Sequence, residues 1–133
     1  MNFTNSGAVD VGIVVRDGAA ALAFYRDILG LEHEGDMPMK GAVMHRVRVG
    51  ASLLKLIAVE NAPASPPAGG ITDGLGIRYV TLHVEDVAAA VATCEAAGVP
   101  IVVSTRELRP GVTMALVNDP DGNIVEFLHV ASA

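Results

Sequence analysis

The sequence predicts an α+β chain built from two βαβββ repeats. Three observations carry this. Two Ala-rich helical stretches each follow a β-branched run, open after an Asp and stop at a Gly: Asp17 with Gly30, and Asp86 with Gly98. Each helical stretch is followed by further strand-like runs rich in Val, Ile and Leu. The two halves also align. Asp10 lies seven residues before Asp17, and Tyr79 lies seven before Asp86. Leu53-Leu54-Lys55-Leu56-Ile57-Ala58-Val59 matches Ile124-Val125-Glu126-Phe127-Leu128-His129-Val130 position for position.

Taken in order, Val9 to Val15 reads as the first strand. Gly18 to Leu29 reads as a helix whose apolar stripe is Leu22, Phe24, Tyr25, Ile28 and Leu29. Leu31 to Gly35 reads as a short strand, and Met37-Pro38-Met39-Lys40-Gly41 as a loop. Val43 to Val49 alternates apolar residues with His45, Arg46 and Arg48, the pattern of a half-buried strand. Leu53 to Val59 closes the first module, about residues 8–60. Pro63, Pro66 and Pro67 with Gly69, Gly70, Gly74 and Gly76 mark a linker over about 61–76. The second module, about 77–131, repeats the order. Its elements are Tyr79–Val84, a helix Val87–Ala97, a short strand Ile101–Val103, Val112–Val117 and Ile124–Val130.

Composition narrows the function classes. The net charge is −6, and no Lys/Arg cluster forms a basic patch, which argues against nucleic acid and anionic membrane surfaces. No apolar run approaches the ~20 residues of a membrane span. The single cysteine, Cys94, permits no internal disulfide, so a cytoplasmic protein is the expectation. Cys94 itself reads as a small core residue. Aromatics are only 4%, so a pocket would be lined by aliphatic groups.

One residue breaks the pattern of the last strand. Asp119-Pro120-Asp121-Gly122-Asn123 is a turn by its chemistry. The strand that follows is apolar from Ile124 to Leu128 except at Glu126. A carboxylate there needs a cation, a metal or a proton. Alternation puts Glu126 on one face with Ile124 and Leu128, while Val125 and Phe127 pack under a helix.

Phe24-Tyr25-Arg26-Asp27-Ile28-Leu29-Gly30-Leu31 and Asp119-Pro120-Asp121-Gly122-Asn123-Ile124-Val125-Glu126 resemble the hallmark stretches of the vicinal oxygen chelate superfamily. That superfamily includes glyoxalase I, extradiol dioxygenases and bleomycin-binding proteins. The resemblance covers nearly the whole chain. It implies two βαβββ modules, each curling a sheet around one side of a cleft, and a homodimer. It also implies a site at four equivalent positions, here Asp10, Lys55, Tyr79 and Glu126, with family metal ligands usual there. Only Glu126 keeps a family ligand. Lys55 is an ammonium and repels a metal, so no cofactor is expected. A divalent metal is disfavoured by Lys55 and Tyr79, and would fall to Asp10 and Glu126 if present.

Two readings of these four residues follow. One is an inert ion-pair network with Lys55 between Asp10 and Glu126. The other is a metal-free catalytic centre, with Glu126 or Asp10 as general base and Lys55 or Tyr79 polarising a substrate oxygen. Ile57 and Leu128 share the cleft phase as ligand-binding candidates. His83 is in phase with Tyr79, about 13 Å further along, at the rim. His45 faces either the cleft or the helix, and is the imidazole candidate if it faces the cleft. His33 and His129 read as peripheral or packed against a helix. The expected function is lyase, isomerase or epimerase chemistry on a small oxygenated or carbonyl-bearing molecule. The alternative is a non-catalytic protein that sequesters such a compound.

Overall fold

Asp17 and Asp86 start the two helices as their positions predict. In the computed structural model, which describes residues 1–4, 6–67 and 69–132, Asp17 Oδ1 accepts the N–H groups of Ala19 and Ala20 at 2.9 and 3.2 Å. Asp86 Oδ1 accepts that of Ala89 at 2.9 Å. Each bond satisfies a donor that the first helical turn leaves open.

The element order is β1 (Val11–Val15), α1 (Gly18–Leu22), β2 (Glu32–Met39), β3 (Ala42–Val49), β4 (Ser52–Val59), β5 (Tyr79–His83), α2 (Val87–Ala96), β6 (Ile101–Arg109), β7 (Val112–Asn118) and β8 (Ile124–Val130). The strands form two four-stranded mixed sheets, ordered β1-β4-β3-β2 and β5-β8-β7-β6. In each, the first strand pairs in parallel with the last, and the other pairs are antiparallel. Among the described residues no helix is long and apolar enough to cross a membrane. The chain divides into two units, Met1–Ala64 and Ser65–Ala133.

In the first unit, α1 continues as a π-helix over Ala23–Ile28. The Leu29 N–H bonds Phe24 O, five residues back, and the Leu31 N–H reaches Tyr25 O past Gly30 at φ 78°. The extra residue in the turn lets adjacent Phe24 and Tyr25 both enter the core, in edge-to-face contact at 4.7 Å. They join Val15, Val47, Leu54 and Leu56, all buried.

The expected loop Met37–Gly41 is a correction: strand β2 runs on through Pro38 to Met39. Strand β2 is the sheet edge, where a proline without an N–H costs no ladder bond. Strand β6 likewise runs to Arg109 rather than stopping near Val103, again as an edge strand. Its far half is exposed on both faces, so no apolar alternation marked it.

In the second unit, Val87, Val91 and Cys94 of α2 are buried, and α2 packs on β6, β7 and β8. Burial pushes the Cys94 thiol up from its ordinary range. Among the described residues no regular element forms between β4 and β5. This stretch is nonetheless tied down: Arg78 donates to Ile71 O at 2.9 Å and to Gly70 O at 2.7 Å, and Ile71 packs on the sheet.

Gly18 sits where the helix meets the sheet. A Cβ there would lie 2.5 Å from His45 Nε2 and 3.1 Å from Ala58 Cβ. Ala is normally the better helix residue by about 1 kcal/mol. Here the clash dominates. Gly18→Ala is expected to lower stability by about 1–2 kcal/mol in urea unfolding. A stabilised variant would show that the His45 ring gives way freely.

Candidate functional site

Register sorts the candidate residues by face. In the second unit Glu126 pairs with Thr81 across β5–β8 and with Leu116 across β7–β8. Tyr79 pairs with Ile124, and His83 with Leu128. All therefore share one face, opposite the buried Val125 and Phe127. That helix-free face is an apolar cluster of Met114, Leu116 and Ile124, with Ile71, Val103 and Leu128 packed against it.

Glu126 is half-buried within this cluster. The Thr81 hydroxyl donates to Glu126 Oε1 at 2.7 Å. Thr81 is thus the direct neighbour of the carboxylate, where the sequence pointed to Tyr79. Tyr79 is on the same face two residues away and largely exposed. Thr81 lies five residues before the cap Asp86, in phase with Tyr79, which is the signal that would have found it. His83 is exposed at the strand end.

The turn that sets up β8 is rigidly built. Asp119 is buried, and its Oδ1 accepts the N–H groups of Asp121 and Asn123 at 2.9 and 2.8 Å. Its Oδ2 accepts from the Asn123 amide at 2.8 Å. The Gly122 N–H bonds Asp119 O at 3.0 Å, with Gly122 at φ 88°.

In the first unit Lys55 pairs with Gly12 and Arg46, and Ile57 with Val14 and Met44. The Lys55 ammonium is 3.8 Å from Asp10 Oδ2. Asp10 makes its tighter bond to the Leu53 backbone N–H, at 2.8 Å. Asp10 therefore acts first as a peg joining the chain before β1 to β4. An ammonium beside that carboxylate does not suit a divalent ion. Arg48 is clamped by Glu34 through two bonds, 3.0 and 2.8 Å, and Arg46 approaches the same carboxylate at 3.9 Å. The Arg48 hydrogen bond holds the Glu34 carboxyl below its usual range. Lys55 belongs to the first unit and Glu126 to the second.

His45 does not share the face of Lys55. It pairs with Leu56, a core residue, and its Nε2 lies against Gly18 of α1. The cleft-facing option for His45 is therefore overturned: an even step from Val47 and opposition to Leu56 put it on the helix side.

There it meets a partner that the sequence did not suggest. Asp36 Oδ1 lies 2.6 Å from His45 Nδ1 and 2.7 Å from His33 Nε2. These two bonds hold the Asp36 carboxyl below its ordinary range, His45 contributing most. His33 and Asp36 are three apart, which in a regular strand means opposite faces. A bulge between His33 and Gly35, with Gly35 at φ 135°, resets the phase.

The profile of the Glyoxalase/Bleomycin resistance protein/Dioxygenase superfamily matches residues 7–127. Solved structures share the fold. A glyoxalase family protein from Bacillus cereus is 18% identical with a TM-score of 0.80, over 92% of this chain and 93% of that one. An antibiotic-binding protein from Streptomyces sp. CB03234 is 23% identical with a TM-score of 0.72, over 98% of this chain and 99% of that one. A glyoxalase I variant from Zea mays is 15% identical with a TM-score of 0.78, over 92% of this chain and 44% of that longer one. No curated protein matches the sequence.

Proposed function

The chain belongs to the Glyoxalase/Bleomycin resistance protein/Dioxygenase superfamily, and we propose that it acts on a small oxygenated or carbonyl-bearing molecule at the helix-free face of its second sheet. The observation that carries this is Glu126, a half-buried carboxylate in an apolar cluster, with one oxygen held by Thr81. The apolar floor takes the body of the molecule. Glu126 takes a proton from the carbon next to the carbonyl, and the electron pair moves onto the carbonyl oxygen as an enolate. Tyr79 or His83, on the same face, donates a hydrogen bond to that oxygen. Returning the proton to either side gives isomerase or epimerase chemistry; loss of a neighbouring group gives lyase chemistry.

The proposed step is carried by Glu126, with a hydrogen-bond donor from Tyr79 or His83 on the same sheet, and calls on no divalent metal. A second reading, binding without turnover, is favoured by the Thr81 bond. It fixes the carboxylate as an acceptor for a ligand donor. The antibiotic-binding Streptomyces protein of the same fold supports this reading.

Solvent-exchange NMR separates the two. The protein is incubated in D2O with a panel of 2-oxo acids, α-hydroxy ketones and thioesters, and loss of the α-proton signal is followed. Exchange that depends on Glu126 supports the enzyme. Saturation transfer to a compound without exchange supports the binder. A panel that neither binds nor exchanges defeats both.

We also propose a cytoplasmic homodimer. Cytoplasmic residence rests on the single cysteine, which is buried and forms no disulfide. The dimer rests on β1 and β5 being the end strands of their sheets and on exposed apolar residues beside them, Val9, Val14 and Ile77. Light scattering at micromolar concentration should give twice the chain mass of 13.7 kDa. A mass of one chain would refute the dimer.

A further inference from the structure

We propose that His33, Asp36 and His45 form a binding site for a divalent transition-metal ion, zinc above all, on the helix-bearing side of the first sheet. This site is separate from the face of Lys55 and Ile57, since Asp36 and His45 pair with each other and His45 opposes the core residue Leu56.

Four observations carry it. The donor set is two imidazoles and one carboxylate, the nitrogen and oxygen ligands that zinc takes, with a fourth position left for water. Their ligand atoms, His33 Nε2, Asp36 Oδ1 and His45 Nδ1, all lie within 4.8 Å of one another. The two rings are set at 74° with centroids 5.9 Å apart, so they converge rather than stack. Finally, access is graded: the His side chains are 19% and 14% exposed and that of Asp36 is 48% exposed. An ion can enter at Asp36 and bind the more sheltered rings.

The backbone is arranged to make this cluster. The Gly35 bulge turns His33 and Asp36 to one face. Gly18 leaves space for the far edge of the His45 ring. Without metal, each ring presents an N–H to Asp36, because an ionised carboxylate only accepts. On binding, the ion takes the nitrogen that carried each proton, and each ring shifts to its other tautomer: the facing N–H proton goes to solvent and the far nitrogen, Nδ1 of His33 and Nε2 of His45, takes one up. The ligand atoms must part from 2.6–2.7 Å to about 3.3 Å, the edge of a tetrahedron with bonds of ~2.0–2.1 Å. Rotation of the exposed Asp36 side chain supplies that room.

Arg26 opposes the ion. Its Nη1 is 3.5 Å from His33 Nδ1 and can only donate, so it favours the metal-free arrangement. It is also a cation beside the site. Arg26 is held chiefly by Asp27, at 2.8 and 3.2 Å, and can leave His33.

The test is titration of chelator-stripped protein with Co²⁺ and Zn²⁺. Cobalt should give the visible bands of a four-coordinate site, saturating at one equivalent, and calorimetry should give one zinc per chain. Asp36→Asn and His33→Gln should each weaken zinc at least tenfold, with circular dichroism confirming the fold. Arg26→Ala should tighten it several-fold. Glu126→Gln and Asp10→Asn should leave it unchanged. No cobalt spectrum with the native protein at 0.1 mM metal, or equal affinity in Asp36→Asn and His33→Gln, overturns the site. Loss of binding in Asp10→Asn or Glu126→Gln with retention in Asp36→Asn would instead assign the ion to the Glu126 or Lys55 face and overturn the metal-free part of the proposed function.

Discussion

Asp119→Ala is expected to lower the stability of the chain by about 2–4 kcal/mol, because hydrogen bonds to a charged group are worth ~1.5–3 kcal/mol each and their donors are left partly buried. The side chain accepts three bonds, from the Asp121 and Asn123 backbone and from the Asn123 amide. Deleting it strands all three donors at one turn. Asp119→Asn keeps an oxygen that can accept the two backbone groups, so it should cost clearly less, about 1 kcal/mol. The measurement is urea unfolding of both variants with the slope compared to the native chain. A cost below about 1 kcal/mol for the alanine variant would mean that water replaces the carboxylate without strain.

The consequence reaches beyond stability. The turn sets the register of β8 against β7, in which Glu126 opposes Leu116 and Phe127 opposes Ala115. A slip of one residue would carry Glu126 under α2 and bring Phe127 out. A large loss in the alanine variant with a lowered slope would indicate that register, as well as local hydrogen bonding, had been lost.

The same residues show what was legible in advance. Turn chemistry at Asp119–Asn123 and caps at Asp17 and Asp86 are local, so they could be read from neighbours in sequence, and the repeat then ordered the strands. Glu126 was conspicuous because one carboxylate interrupts an apolar run. Thr81 was not, because a threonine in a strand is ordinary; only register makes it the partner of Glu126. Strands β2 and β6 were read too short because their far halves, on the sheet edges, are exposed on both faces and carry no alternation. The His33–Asp36–His45 group was hidden for a sharper reason. Period-two counting assigns His33 and Asp36 to opposite faces, and one bulge at Gly35 reverses that. A glycine in a strand hints at a bulge but does not say which side chains it will unite.

Glu126→Gln is expected to lower the rate of α-proton exchange by about 10²–10⁴-fold, the usual contribution of a positioned general base. Binding of the same compound should hold within a few-fold, because glutamine keeps the shape and an acceptor oxygen. Folding should be little affected, since the Thr81 hydroxyl can donate to the amide oxygen as it does to Oε1 at 2.7 Å. Thr81→Val separates positioning from proton transfer. It removes the bond while keeping the volume, so the carboxylate stays but loses its fixed direction. A drop of about tenfold in exchange rate with unchanged affinity is the expected result, smaller than the loss in the glutamine variant because the base itself survives. If Glu126→Gln exchanges as fast as the native protein, the base lies elsewhere and Glu126 is only an acceptor. If exchange is absent in the native protein while Glu126→Gln and Thr81→Val both weaken ligand affinity, the face is a binding site and the superfamily's sequestering role is the one this chain performs.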